Sequence, residues 1–420
     1  MAPLAESLAA AATLVARVAA GRSLSAEIER AGSEAAEARG ALIDLCYGTL
    51  RRYGRSQALV KALSSRAQVT DPLVEALLWC ALYALESARY AEYTVVDQAA
   101  RACVLLNQHR AKGFVNGLLR TYLRSRASLE ARVGADPVAR YWHPGWWIER
   151  LRSAYPQGWE DVLAAGNAHP PMTLRVNTRR GTVEDYLARL AAQGMAARPL
   201  AGHALVLEKP MPVARLPGYA DGLVSVQDAG AQRAAPLLEL AAGQRVLDAC
   251  AAPGGKSAHL LELADVELTA LDIDAARCAD VERNLTRLGL AARIRVADCT
   301  APEGWWDDTP FDRILADVPC SASGIARRHP DAKWLRRAAD LERFSARQAR
   351  ILDALWRVLS PGGKLLYVTC SVFTEENDAV IDAFLARTSG ARRAPRPGSG
   401  QLLPGAEHDG FFFALLEKPA

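Results

Sequence analysis

The stretch Val246–Glu262, "VLDACAAPGGKSAHLLE", decides the fold. A short apolar run reads as a strand, "AAPGG" as a tight turn, and "KSAHLLE" as the start of a helix. The same alternation surrounds it from Val224 onward. "QRVLDACA", "ELTALDID", "RIRVADC", "DRILADVPC" and "KLLYVTC" read as strands, each followed by helix-forming sequence, and "FFFALLEK" near the C-terminus reads as one more. That rhythm predicts a doubly wound, Rossmann-like α/β sheet, whose ligands sit at the carboxyl ends of the strands.

The turn itself is not a phosphate loop. A Walker A pattern ending in Gly255-Lys256-Ser257 needs glycine where Cys250 stands, and the dinucleotide GxGxxG spacing is also missing. Gly254 and Gly255 still let backbone come close to a ligand. The next strand ends in Asp272, placed for a ribose diol about twenty residues after the turn. The third ends in Asp298, placed to accept from a base amino group. A nucleoside without phosphate contacts fits this trio, and S-adenosylmethionine is the candidate cofactor.

Two strand ends carry a Cys-Ser pair: "DVPCSASG" (317–324) and "YVTCSVFTEEN" (367–377). A lone cysteine at a buried strand end is most often a small core hydrophobe. Polar neighbours argue otherwise here: Pro319 and Ser321 beside Cys320, Thr369 and Ser371 beside Cys370, and a "TEEN" helix cap suggest the mouth of a site. Two thiols near a methyl donor point to carbon 5 of a pyrimidine, a poor nucleophile until a thiolate adds to carbon 6. Asp317 would bind the edge of the base and Lys256 could add positive charge. Amine methylation would call for Asn/Asp-Pro-Pro-aromatic after the fourth strand, where this chain has "DVPC". The residues alone do not rank Cys320 and Cys370.

Upstream, residues 1–140 read as helices throughout, 141–225 as a Trp/Pro/Gly-rich connector and a small α+β unit, and 226–420 as the Rossmann-like domain. In the small unit "MTLRVN" and "HALVLEK" are strand-like, and "TVEDYLARLAAQG" is a helix with a Thr cap and a Gly stop. The net charge is +4, too mild to demand a polyanion by itself. Local clusters say more. Arg101–Arg126 holds six Lys/Arg and no acid, with further basic clusters at 326–337 and 391–397. The three predict a polyanion-facing surface, with 326–337, adjacent to Cys320, placed to hold phosphates beside a target base. The eight cysteines form no CxxC and no Cys/His cluster, so no metal is expected. No eighteen-residue apolar run is present, so no membrane span is expected, and a cytoplasmic protein with reduced thiols is the default.

The motifs "DACAAPGGKSAHLLE", "DVPCSASGIARRHPDAKW" and "YVTCSVFTEEN" resemble those of bacterial RNA (cytosine-5) methyltransferases. The layout is similar to the RsmB/Fmu (Sun) type, which methylates one cytosine of 16S ribosomal RNA, across nearly the whole chain, with a NusB-like N-terminal RNA-binding domain. The resemblance implies S-adenosylmethionine contacts from Cys250, Ala251, Ala252, Pro253, Gly254, Gly255 and Lys256, and from Asp272, Asp298 and Asp317. It also implies that Cys370 is the nucleophile and Cys320 the residue that helps release product. A thiol reaches carbon 6 only from the face of a base, so the target would be unstacked or single-stranded. The alternatives are another RNA such as tRNA, or a non-catalytic RNA-binding assembly factor.

Overall fold

The computed structural model describes residues 4–32, 36–64 and 69–420, and the side chains of all these except 36–38. Two compact units result: residues 1–168 with 326–338, and residues 169–325 with 339–420.

The first unit is helical among the described residues. Helices Leu4–Ala19, Pro72–Glu86, Glu92–Leu105 and Lys112–Arg124 share one core, which includes Leu8, Val15, Leu77, Leu82, Val95, Val115 and Leu119. The helix Pro72–Glu86 starts where Asp71 accepts from the N–H groups of Leu73 (2.8 Å) and Val74 (3.2 Å), with proline at the first position. It is buried almost all round, as its nearly unbroken apolar sequence requires. The connector forms the helix Gly145–Ala154 and is followed by Trp159–Asn167.

The second unit opens with a small antiparallel sheet. Its strands are β1 (Met172–Val176), β2 (Ala197–Pro199), β3 (Ala204–Leu207) and β4 (Val224–Val226), in the order β2-β3-β1-β4. The helix Val183–Ala191 packs on it and starts at the expected Thr182, which forms a reciprocal capping box with Asp185.

The large sheet contains β5 (Arg245–Asp248), β6 (Glu267–Asp272), β7 (Arg293–Val296), β8 (Phe311–Asp317), β9 (Leu359–Thr369), β10 (Arg392–Ala394), β11 (Gly400–Leu402) and β12 (Phe411–Glu417). The order is β10-β12-β9-β8-β5-β6-β7, with β11 also on β12. The strands from β9 to β7 are parallel, and β12 is antiparallel to β9. Both faces are covered, which explains the continuous apolar runs. Leu366, Val368, Phe411 and Phe413 join the core beneath the helices Gly255–Leu263 and Ala275–Leu288. Their neighbours Leu365, Tyr367, Phe412 and Ala414 join the opposite core, beneath Asp340–Val358 and Asp378–Arg387. The chain reverses its lateral direction at β5, which lies between β8 and β6, and the candidate site lies over these strand ends. No described helix is long and apolar enough to cross a membrane.

Candidate active site

After β5 the chain turns through Ala251, Ala252, Pro253 and Gly254 into the helix that begins at Gly255. Gly254 has φ +93°, which strains any side chain, and a Cβ there would crowd the Val281 Cα at 3.1 Å. The turn is clamped to the end of β6. Ala251 N–H donates to the Leu271 carbonyl (2.7 Å) and Ala252 N–H to Asp272 Oδ2 (3.3 Å). From β1, the buried Arg175 grips Glu262 on the helix through two 2.8 Å bonds and donates to the Gly255 carbonyl (2.8 Å). Breaking such a buried pair typically costs about 3–5 kcal/mol. The small sheet thus holds the cofactor turn in place.

A cavity of about 240 Å³ lies over the strand ends. Five of the expected residues line it: Cys250, Ala252, Asp272, Asp298 and Asp317. Ala251, Pro253, Gly254 and Gly255 supply the turn. Asp298 accepts from the Thr300 N–H (2.9 Å) and hydroxyl (2.8 Å), and this holds its carboxyl below the usual range, the N–H contributing most. Asp272 is nearly buried and accepts from the Asp274 N–H (3.2 Å). Among the lining residues not singled out on sequence are Ile273, Arg277 and Arg347. Ile273 is 55% exposed beside Asp272 and Asp298, an apolar surface of the kind a base packs on. Cys299 also lines the cavity. Its proximity to Cys250, together with burial, pushes the Cys250 thiol well up. Carboxylates at two successive strand ends, a close-approach turn and an apolar wall suit an adenosine moiety.

Lys256 points from the helix start to Asp317, Nζ to Oδ2 2.6 Å. Burial alone would lower its ammonium, but the Asp317 carboxylate, with further help from Cys370 and Asp248, takes it above its ordinary value. Asp248 was not singled out by sequence. It is buried, takes the Ser257 hydroxyl at 2.6 Å, and is pushed up to about 7, by burial first and by the Asp317 charge.

The two cysteines meet, Sγ to Sγ 3.4 Å, from the loops after β8 and β9. Cys320 is raised well above an ordinary thiol by its hydrogen bond to Cys370, then by burial and by the charges of Cys370 and Glu376. The loops touch through backbone: Gly324 N–H donates to the Cys370 carbonyl, and Gly410 N–H to the Gly324 carbonyl, both at 2.8 Å. A Cβ on Gly324 would lie 2.3 Å from the Gly410 oxygen. The polar residues around the thiols do not form a mouth. Ser321, Thr369 and Ser371 are fully buried. Nor does "TEEN" supply the expected cap: the helix at Asp378 has no side-chain cap bond, and Glu376 turns back beneath the cysteines.

The basic clusters also separate. In the first unit Arg110, Lys112, Arg120 and Arg124 are exposed, and Lys112 and Arg120 line an open groove with Tyr93 and Asn116. Arg101 pairs with Asp97 and Arg126 with Glu130. Of the 326–337 cluster, expected beside the target base, Arg327 and Lys333 are buried in the first unit, while Arg328 and Arg336 are half-buried and Arg337 is exposed. Lys333 is fully buried and gives its three N–H bonds to the carbonyls of Arg51 (3.0 Å) and Trp142 (2.9 Å) and to Asn167 Oδ1 (2.9 Å). Arg327 is buried as well. In the 391–397 cluster Arg393 pairs with Asp378 and Arg396 with Glu239.

The chain matches known families along most of its length. Residues 235–417 match 16S rRNA methyltransferase RsmB/F, 143–214 the ferredoxin-like domain of RsmF/B-like methyltransferases, and 6–124 the NusB family. Ribosomal RNA small subunit methyltransferase B of Pseudomonas syringae pv. tomato is 44% identical over 91% of this chain and 90% of its own. The protein of that name from Vibrio cholerae is 41% identical over 98% and 96%. Among solved structures, PH0851 superposes with a TM-score of 0.81 at 24% identity over 99% of both chains, a likeness of fold. A methyltransferase homolog from Pyrococcus horikoshii covers 67% of this chain and 97% of its own, at a TM-score of 0.59 and 27% identity. With S-adenosylmethionine as its cofactor, the chain belongs to the RsmB/F family of methyltransferases.

Proposed function

We propose that this protein methylates carbon 5 of a cytosine in 16S ribosomal RNA through a covalent adduct on Cys370. RNA methylation is the activity that its relatives' names carry. The observation that carries the finer reading is the 3.4 Å meeting of two thiols from two strand ends, with Lys256 close enough to feel the charge of Cys370. Bound S-adenosylmethionine supplies an electrophilic methyl group. The Cys370 thiolate attacks carbon 6 and forms the Sγ–C6 bond, which makes carbon 5 nucleophilic. Asp317 faces both the cofactor cavity and Lys256, and hydrogen-bonds the base edge as charge develops on the ring. After carbon 5 gains the methyl group, a solvent base takes its proton, the C–H pair forms the C5=C6 bond, and the Sγ–C6 electron pair returns to sulfur. Cys320, held protonated beside Cys370, gives the departing thiolate a proton partner and so speeds release. The base must leave its stack to expose carbon 6, and the exposed basic side chains of the first unit suit RNA binding.

RNA carrying 5-fluorocytosine tests this, because fluorine does not leave as a proton does. With S-adenosylmethionine present, a stable RNA adduct should map to Cys370. Methylation of ordinary RNA without any trapped adduct overturns the covalent route.

A further inference from the structure

Beneath the two thiols lies a polar network to which the reaction above gives no role. Glu376 is completely buried. Its Oε1 accepts from the Ser321 backbone N–H (2.8 Å) and from Gln348 Nε2 (3.2 Å), and its Oε2 accepts from the Ser371 hydroxyl (2.6 Å). Ser321 directly follows Cys320 and Ser371 directly follows Cys370, so one carboxylate holds both cysteine loops. Three hydroxyls complete the clasp: Ser321 to Ser323 at 3.0 Å, Ser323 to Ser371 at 3.0 Å, and Ser321 to Ser371 at 3.2 Å. Ser323 takes the Val372 N–H (2.9 Å) and Ser371 takes the Phe373 N–H (3.0 Å). Gln348 also donates to the Pro319 carbonyl (3.1 Å), and the Tyr367 hydroxyl pins the Glu376 backbone carbonyl (2.7 Å).

A carboxylate is a costly way to join two loops that contain their own serines. Burial works against its charge and raises its pKa, and the bonds from Ser321 and Ser371 oppose that rise. What the charge adds is directional. Acceptor-only oxygens fix the Ser321 N–H and the Ser371 hydroxyl at once, and the charge is felt at Cys320.

We propose that Glu376 is a positioning residue that sets the separation of the two thiols and keeps Cys320 ready for release, matching the rates of attack and release. This rests on the Cys370 adduct reading and adds a partition that the reading does not require. The Glu376→Gln side chain has nearly the same shape, but its amide can accept at only one end. It must confront either the Ser321 N–H with a second donor or reverse the hydroxyl chain at Ser371.

The test uses full-length protein with S-adenosylmethionine and both ordinary and 5-fluorocytosine RNA. For E376Q, kcat should fall on the order of 10–100-fold, as expected when reacting groups are displaced by a fraction of an ångström to an ångström. The KM for RNA and the affinity for S-adenosylmethionine should stay within about twofold, because the cofactor cavity does not include Glu376. Covalent RNA–protein complex should accumulate on ordinary RNA, and the pH profile of its decay should move to lower pH as Cys320 loses a neighbouring charge. Ser371→Ala, which removes one donor and leaves the carboxylate, should show the same accumulation more weakly, and it serves if E376Q fails to fold. Wild-type turnover without accumulated complex in E376Q overturns the positioning role, as does a loss of cofactor affinity parallel to the loss of kcat. If wild-type protein itself forms no adduct with 5-fluorocytosine RNA, the covalent reading fails first and takes this role with it.

Discussion

The loops after β8 and β9 carry the same Cys-Ser pair and hold it in different company. Pro319 precedes Cys320, and beyond Ile325 the chain leaves this unit to pack Ala326–Ala338 into the helical one. Thr369 precedes Cys370, its hydroxyl donates to Asn377 Oδ1 (2.6 Å), and the chain stays to form the helix Asp378–Arg387. The second loop organises the first: the Cys370 carbonyl receives the Gly324 N–H, and Glu376 receives the Ser321 N–H. The electrostatics are unequal too, since the hydrogen bond to Cys370 drives the Cys320 thiol upward. Identical dipeptides therefore sit in different surroundings, and the separate roles proposed for them can be attacked experimentally.

The largest effect is expected at Cys370. Cys370→Ala should cost on the order of 10⁴-fold or more in turnover, the scale of removing a nucleophile, and abolish the 5-fluorocytosine adduct. An adduct mapping to Cys320 in that variant would invert the assignment. Next, Cys320→Ser should keep adduct formation and slow release by about 10²–10³-fold, the range of a lost acid–base partner. It should accumulate complex on ordinary RNA, read on denaturing gels. Equal loss of adduct in both cysteine variants would erase the division between the loops.

A smaller change sharpens the contact between them. Gly324→Ala places a methyl against the Gly410 carbonyl and should destabilise the protein by about 1–3 kcal/mol, read by denaturant unfolding. The smallest effect concerns pH. Asp248, beneath the Lys256–Asp317 pair, has a folded pKa of about 7 against roughly 4 when unfolded. A raised carboxyl favours the protonated fold, so its contribution is full below the unfolded value and is lost as pH climbs through about 7. Asp248→Asn should flatten the decline in melting temperature between about pH 4 and pH 7. An unchanged slope would show that Asp248 is not the group responsible.

Legibility followed physical range. The strands β5, β6, β8 and β9 were readable because both faces are buried, and the apolar runs end abruptly at Asp272, Asp317 and Cys370. The three-residue strands β2, β4, β10 and β11 were not read, being too short to show a period. Charge clusters misled most. A basic run looks the same whether its lysine meets water or three carbonyls, and Lys333 meets carbonyls. Glu376 was visible in "TEEN" but was read as a local cap. Its partners Ser321 and Gln348 are 55 and 28 residues away, beyond what local pattern reports.

The sequence by itself determined the alternation of elements, the turn that bars phosphate, the strand-end acids and the two candidate thiols. These follow from local periodicity and residue chemistry, which act over a few bonds. Only the tertiary structure brought Cys320 within 3.4 Å of Cys370, joined Lys256 to Asp317, and put one buried carboxylate beneath both cysteine loops. Those relations depend on which strands are neighbours in the sheet, and that order is set by how two buried faces pack, which no single stretch of chain encodes.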